Sequence, residues 1–63
     1  MFNVHIEMPS GAVSKGYDRA TEAEAQDYFE KIVKQLRTWK GFVADVVMLN
    51  EIEEEVKRER IVC

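Results

Sequence analysis

The first residues of the chain alternate between apolar and polar side chains. The apolar positions are Phe2, Val4, Ile6 and Met8. This two-residue period predicts a half-buried β-strand over residues 2–8. Pro9 and Gly11 occupy the second and fourth positions of a four-residue segment that is typical of a type I turn. Residues 12–19 are therefore predicted to return as an antiparallel strand, in which Gly16 indicates a bulge or an edge position.

The next apolar residues recur at helical spacing. Thr21 and Glu24 form a capping-box pattern, in which the threonine hydroxyl accepts a hydrogen bond from the glutamate amide. Behind it runs an apolar stripe made of Ala25, Tyr28, Phe29, Ile32, Val33, Leu36 and Trp39. Gly41 follows as the expected residue after the helix C-terminus. The pattern predicts one amphipathic helix over residues 21–40.

After Gly41 the period changes to that of a strand. Residues 42–49 are apolar on both alternating faces, and only Asp45 interrupts them. A strand of this kind is normally central in its sheet. Residues 55–62 allow two interpretations. Val56, Ile61 and Val62 favour a fourth strand by β-branching, whereas the preceding glutamates favour a charged helix; we predict the strand.

Together these elements predict one α+β domain with the order ββαββ. The helix returns the chain to the far end of the sheet, so the third strand can lie antiparallel to the first. The expected sheet is four-stranded and antiparallel with strand order 2-1-3-4, and the long helix packs on one face.

A single helix covers only one face of a sheet. Val43, Val47 and Leu49 are then expected on the other face, beside His5, where a contiguous apolar patch would mark an interface. Trp39, in the last helical turn, is a further interface candidate. A chain of 63 residues buries only about 60% of its unfolded surface. We therefore expect a homodimer, together with a protein target.

Charge and composition narrow the choice of partner. The net charge is −3 and charged residues make up 33% of the chain, which does not favour nucleic acid or an anionic membrane. Lys57, Arg58 and Arg60 form a small basic cluster suited to phosphate or to an acidic partner, but as many acids precede it. No apolar run is long enough to span a membrane, and no signal-peptide pattern begins the chain, so a cytoplasmic location is expected.

The residues that carry chemistry are few. His5 and Glu7 share a strand face that Asp45 can join, which is a potential acid–base group; solvent-side residues of a half-exposed sheet are the preferred interpretation. The single Cys63 excludes an intramolecular disulfide, and one cysteine with one histidine excludes a zinc cluster. We predict no catalytic residues, no metal site and no cofactor. The protein is not expected to be an enzyme.

The segment 17–25, with Tyr28, Phe29, the run Trp39–Phe42 and a valine-rich strand, resembles short uncharacterised accessory proteins of bacteriophages and mobile elements. The resemblance implies a small factor that binds and modulates a host protein, including components of host defence. The first hypothesis is thus a non-enzymatic interaction protein. The alternative is a binder or sponge for a small nucleotide-like ligand at a homo-oligomer interface, and a weaker alternative is a nucleic-acid-binding module that uses the basic cluster.

Overall fold

The computed structural model describes residues 1–62. The elements are β1 (Phe2–Glu7), β2 (Tyr17–Arg19), α1 (Glu22–Leu36), β3 (Val43–Leu49) and β4 (Glu55–Val62). The four strands form one antiparallel sheet with the order β2-β1-β3-β4. The predicted ββαββ fold is confirmed, and residues 55–62 form a strand, not a helix. Cys63 lies outside the described residues.

The core lies between α1 and one face of the sheet. Its buried members are Val4, Ala25, Phe29, Val33, Leu36, Val46, Met48 and Ile61. The two-residue period of the strands and the helical period of α1 place these side chains on facing surfaces. The helix packs more closely on the central strands β1 and β3 than on the edge strand β4. Within residues 1–62, no helix combines the length and apolar character needed to cross a membrane.

The helix begins as expected and ends earlier than expected. Thr21 Oγ1 accepts a hydrogen bond from the Glu24 amide at 3.2 Å. At the other end α1 stops at Leu36, four residues before the predicted end. Thr38 donates both its amide and its hydroxyl to the carbonyl of Gln35, at 3.1 and 2.7 Å. Such local bonds from threonine compete with the helical ladder, so the last predicted turn becomes irregular.

The second strand is shorter than residues 12–19. Only Tyr17–Arg19 pairs with β1, and Val13 makes an isolated bridge to Glu7. Ser14 occupies the gap, because its hydroxyl accepts from the Ile6 amide at 2.9 Å and its amide donates to the Ile6 carbonyl at 2.8 Å. A side-chain oxygen thus replaces a backbone partner and interrupts the ladder. The boundaries of β1 and β3 each differ from the prediction by one residue.

Gly16 lies in this interrupted segment. A Cβ atom at this position would lie 2.6 Å from Asn3 Oδ1. The absence of a side chain therefore allows the backbone to approach Asn3 closely, although Gly16 lies just before β2 and not within the strand that was predicted to contain it.

Candidate interaction surfaces

The sheet face opposite α1, called here the helix-free face, carries a connected set of polar side chains. Asn3 Nδ2 donates to Asp18 Oδ1 at 3.0 Å, which links β1 to β2. On β1, His5 Nε2 lies 3.0 Å from Glu7 Oε2. His5 itself is nearly inaccessible to solvent. The contact between Asn3 and Asp18 joins two strands through side chains in addition to the backbone ladder, and the contact between His5 and Glu7 lies within β1.

Arg58 is the centre of this network. Its Nη1 donates to Asp45 Oδ2 at 2.5 Å, and its Nη2 donates to Glu7 Oε1 at 3.2 Å. Nε and Nη2 also reach Glu55 Oε1, at 3.0 and 2.7 Å. Arg60 Nε donates to the second Asp45 oxygen at 3.2 Å. One guanidinium therefore binds three carboxylates from three parts of the chain, a geometry that its planar fork allows.

The network changes the acidity of its carboxyl groups. Hydrogen bonds from His5 and then Arg58 hold the pKa of Glu7 below its ordinary value of 4.5. Hydrogen bonds from Arg58 and Arg60 hold the pKa of Asp45 below its ordinary value of 3.8. Hydrogen bonding to the ionised form is the cause in both cases. Hydrogen bonds to Glu55, and then to Asp45 and Glu7, raise the pKa of Arg58 further above its already high value.

The apolar patch predicted on the helix-free face is not formed. Val47 pairs with His5 on one side and with Arg58 on the other, and it is only 1% exposed. Leu49 is half-buried. The buried imidazole ring and the long arginine stem cover apolar surface, and the arginine keeps its charged end partly exposed. What remains exposed is one end of the face, where Val43 and Val62 pair across the strands with 39% and 69% exposure.

The other sequence candidates occupy separate positions. Trp39 lies in the turn after α1, packs edge-to-face on Phe42 with ring centroids 5.1 Å apart, and is 48% exposed. The predicted basic cluster is divided between two faces: Lys57 lies on the helix side, whereas Arg58 and Arg60 lie on the helix-free face. In the part of the chain from Met1 to Val62, no group of three or more His, Cys, Asp or Glu side chains is placed to hold a metal ion.

The outer edge of β4 is a surface that sequence analysis did not single out. In an antiparallel sheet, successive residues direct their backbone N–H and C=O groups alternately to the two sides of the strand. Ile6 directs both groups to Ser14, on the β2 side. Its partner across β3, Val46, therefore directs its groups to Glu59 of β4. The alternation turns the N–H and C=O groups of three β4 residues outward from the sheet: Arg58, Arg60 and Val62.

A groove runs between α1 and this edge strand. It has a volume of about 340 Å³, and Phe29 and Val33 supply its apolar lining. Lys57 Nζ lies 4.9 Å from the centre of the Phe29 ring, a cation–π contact. Arg37 Nη2 donates to Glu59 Oε2 at 2.5 Å and joins the helix to β4. Lys34 and Glu30 add one positive and one negative charge to the groove lining.

These features define a small α+β protein with one long free edge strand. Comparison of the chain with protein-family models, with curated proteins and with solved structures gave no match.

Proposed function

We propose that the protein is a non-enzymatic interaction protein that binds another protein by accepting one of its strands at the edge of β4. The observation that carries this proposal is the outward row of backbone donors and acceptors at Arg58, Arg60 and Val62. Strand addition uses such a row for affinity and neighbouring pockets for specificity. The groove beside β4 supplies a pocket of this kind.

The contacts of the polar network support binding over catalysis. All four carboxylate oxygens of Glu7 and Asp45 accept hydrogen bonds from side chains of the same chain. These bonds hold the pKa values of both carboxyl groups below their ordinary values, which makes the two groups weaker general bases near neutral pH. The side chains of the network link strands and cover Val47, so their role is to stabilise the sheet.

The alternatives from the sequence have weaker support. A ligand sponge needs a pocket with convergent polar groups. The cleft of about 270 Å³ on the helix-free face is lined by Glu7, Asp45 and Arg60, whose charges are paired within the chain. A nucleic-acid module needs clustered cations, and the basic residues of β4 are divided between two faces.

Four expectations from the sequence stay predictions. They are a homodimer, an origin among bacteriophage accessory proteins, an inhibitory role toward a host protein and a cytoplasmic location. For the homodimer, Val43 and Val62 are the apolar residues that the helix-free face leaves exposed.

The proposal is tested by removing one outward N–H group. Arg60→Pro removes it without touching the bonds between β3 and β4, because proline is tolerated where the N–H of an edge strand faces solvent. Arg60→Ala is the matched control, since it loses the same side chain and keeps the N–H group. A displayed library of random 12-residue peptides is selected on the wild-type protein, and binding of enriched peptides is measured by fluorescence anisotropy.

We expect enriched peptides to bind the wild type and Arg60→Ala, and to lose at least tenfold in affinity on Arg60→Pro, which corresponds to about 1.4 kcal/mol. Amide hydrogen exchange at Arg58, Arg60 and Val62 should become slower in the complex. Equal binding by the proline and alanine variants, at equal thermal stability, would show that β4 is not the binding edge. Failure of the library to yield any binder also contradicts the proposal.

A further inference from the structure

We infer that the strand accepted by β4 is acidic on one face and apolar on the other, so that a carboxylate meets Arg60 of β4 while an apolar side chain enters the groove beside α1. This inference rests on the proposed function, because it specifies the chemistry of the partner strand. It is carried by the charges on the two faces of β4 and by the apolar lining of the groove.

On the helix-free face the exposed positive charge of the edge belongs to Arg60. Arg60 is 73% exposed, and among the described residues it pairs only with Asp45, through Nε. Its two terminal nitrogens remain to serve as donors for a carboxylate. Arg58, two residues earlier, has its charge offset by Glu7, Asp45 and Glu55, so Arg60 is the cation of this face that a partner carboxylate reaches. Residues directly opposite in adjacent strands interact through their side chains, and opposite charges stabilise the pair.

On the helix side, the groove beside β4 has apolar side chains at its base and charged side chains at its rim. A partner residue on this side lies beside Lys57, Glu59 and Ile61, at the groove. Phe29 and Val33 line the groove, and the Lys57 ammonium group lies over the Phe29 ring. The lysine side chain is flexible, so it can move aside for an aliphatic or aromatic side chain and pair with a neighbouring carboxylate.

A second copy of β4 does not fit the same edge. In a continuous sheet with two-fold symmetry, side chains on one face must pair with side chains on the same face of the other copy. A two-fold centred on Lys57, Arg58 or Arg60 places that cation opposite its own copy. Centred on Glu59, it places two glutamates opposite each other and Arg58 opposite Arg60. Like charges directly opposite destabilise a strand pair, and registers centred nearer to either end of β4 pair only a few residues.

The test uses three synthetic eight-residue peptides measured by fluorescence anisotropy. In the first, glutamate alternates with valine and a central leucine. In the second, lysine replaces every glutamate, and in the third, serine replaces the leucine. The protein is the wild type, Arg60→Pro, Arg60→Ala or Lys31→Ala, the last of which removes a positive charge from the exposed side of α1 as a control.

We expect the acidic peptide to bind at least tenfold more tightly than the lysine peptide, because attraction replaces repulsion along the edge. Loss of leucine should cost about tenfold, as expected for one buried aliphatic side chain. Arg60→Ala should weaken the acidic peptide about two- to fivefold, the value of an exposed ion pair, and Lys31→Ala should not. Added salt should weaken the acidic peptide and strengthen the lysine peptide.

The outcomes separate this inference from the proposed function. If the acidic and the lysine peptides bind with equal affinity and Arg60→Pro abolishes the binding of both, the proposal of strand addition is supported and the inference of an acidic partner is wrong. If no peptide binds at concentrations up to about 1 mM while library peptides do, the inference is again wrong. Competition by a 12-residue thymidine oligonucleotide would identify nucleic acid as the occupant. Self-association that Arg60→Pro abolishes would identify a second copy, and either result overturns the inference.

Discussion

At the scale of single residues, Arg58 explains why the helix-free face is polar at its surface and apolar beneath. Its guanidinium bridges Glu7, Asp45 and Glu55, while its position opposite Val47 lets its stem cover that valine. His5 covers the valine from the other strand. A residue that sequence analysis considered as a partner for phosphate is thus chiefly occupied within its own chain.

The lowered pKa values of Glu7 and Asp45 predict a loss of stability in acid. A group whose pKa is lower in the folded state contributes stability above its unfolded pKa, and this contribution disappears as the pH falls through the folded pKa. Starting near the ordinary values of 4.5 and 3.8, the urea concentration at half-unfolding should fall as the pH is lowered. Circular dichroism at a series of pH values from about 7 to 2 measures this.

Asp45→Asn should flatten the acid part of that curve, because one of the two carboxylates no longer titrates. Glu51→Gln, in the exposed loop between β3 and β4, is the control and should leave the curve unchanged. Equal acid sensitivity of Asp45→Asn and the wild type would contradict the role assigned to this carboxylate.

At the scale of elements, the hairpin of β3 and β4 depends on a side chain in its loop. Asn50 Oδ1 accepts hydrogen bonds from the amides of Ile52 and Glu54, at 3.0 and 2.9 Å. Glu53 adopts the left-handed conformation, with φ 63°, which is unfavourable for a residue with a side chain. The asparagine bonds hold the loop in this shape, and the loop in turn holds β4 beside β3.

Asn50→Ala should lower the free energy of unfolding by about 1–2 kcal/mol, because two backbone amides lose their acceptor. Glu51→Ala changes a neighbouring loop residue and should have an effect within about 0.5 kcal/mol. Urea unfolding followed by circular dichroism compares the two. A loss of equal size in both variants would show that the loop does not depend on Asn50.

At the scale of the whole molecule, one helix and four strands share a small core. For 63 residues a total stability of roughly 3–9 kcal/mol is expected, at roughly 0.05–0.15 kcal/mol per residue. Phe29 is fully buried and belongs to that core. The free energy lost by creating a large cavity at this position is therefore comparable to the total free energy of unfolding.

Phe29→Ala should cost about 3–5 kcal/mol, a large part of that stability, and should lower the melting temperature far more than Phe29→Leu does. Phe29→Leu keeps most of the volume and should remain folded with a lower melting temperature. Thermal unfolding by circular dichroism distinguishes these outcomes. A cooperative transition of the alanine variant at the wild-type temperature would mean that the core lies elsewhere.

The sequence predicted those elements of the fold that a local pattern of residues marks. Alternation marks β1, the capping box marks the start of α1, and the doubly apolar run marks β3 as a central strand. The end of α1 and the length of β2 were mispredicted because Thr38 and Ser14 use side-chain hydrogen bonds that compete with the regular ladders. Such competition depends on detailed geometry and leaves no period in the sequence.

The sequence by itself determined the type and order of the elements, because the spacing of apolar residues reports which faces must be buried. Only the tertiary structure decided which surfaces are left for partners. From the sequence Val47 was expected to be exposed, but strand pairing places His5 and Arg58 over it. The basic cluster was expected to be continuous, but the pleat of β4 places its residues on two faces of the sheet. Both depend on register between segments far apart in the chain, which no local pattern encodes.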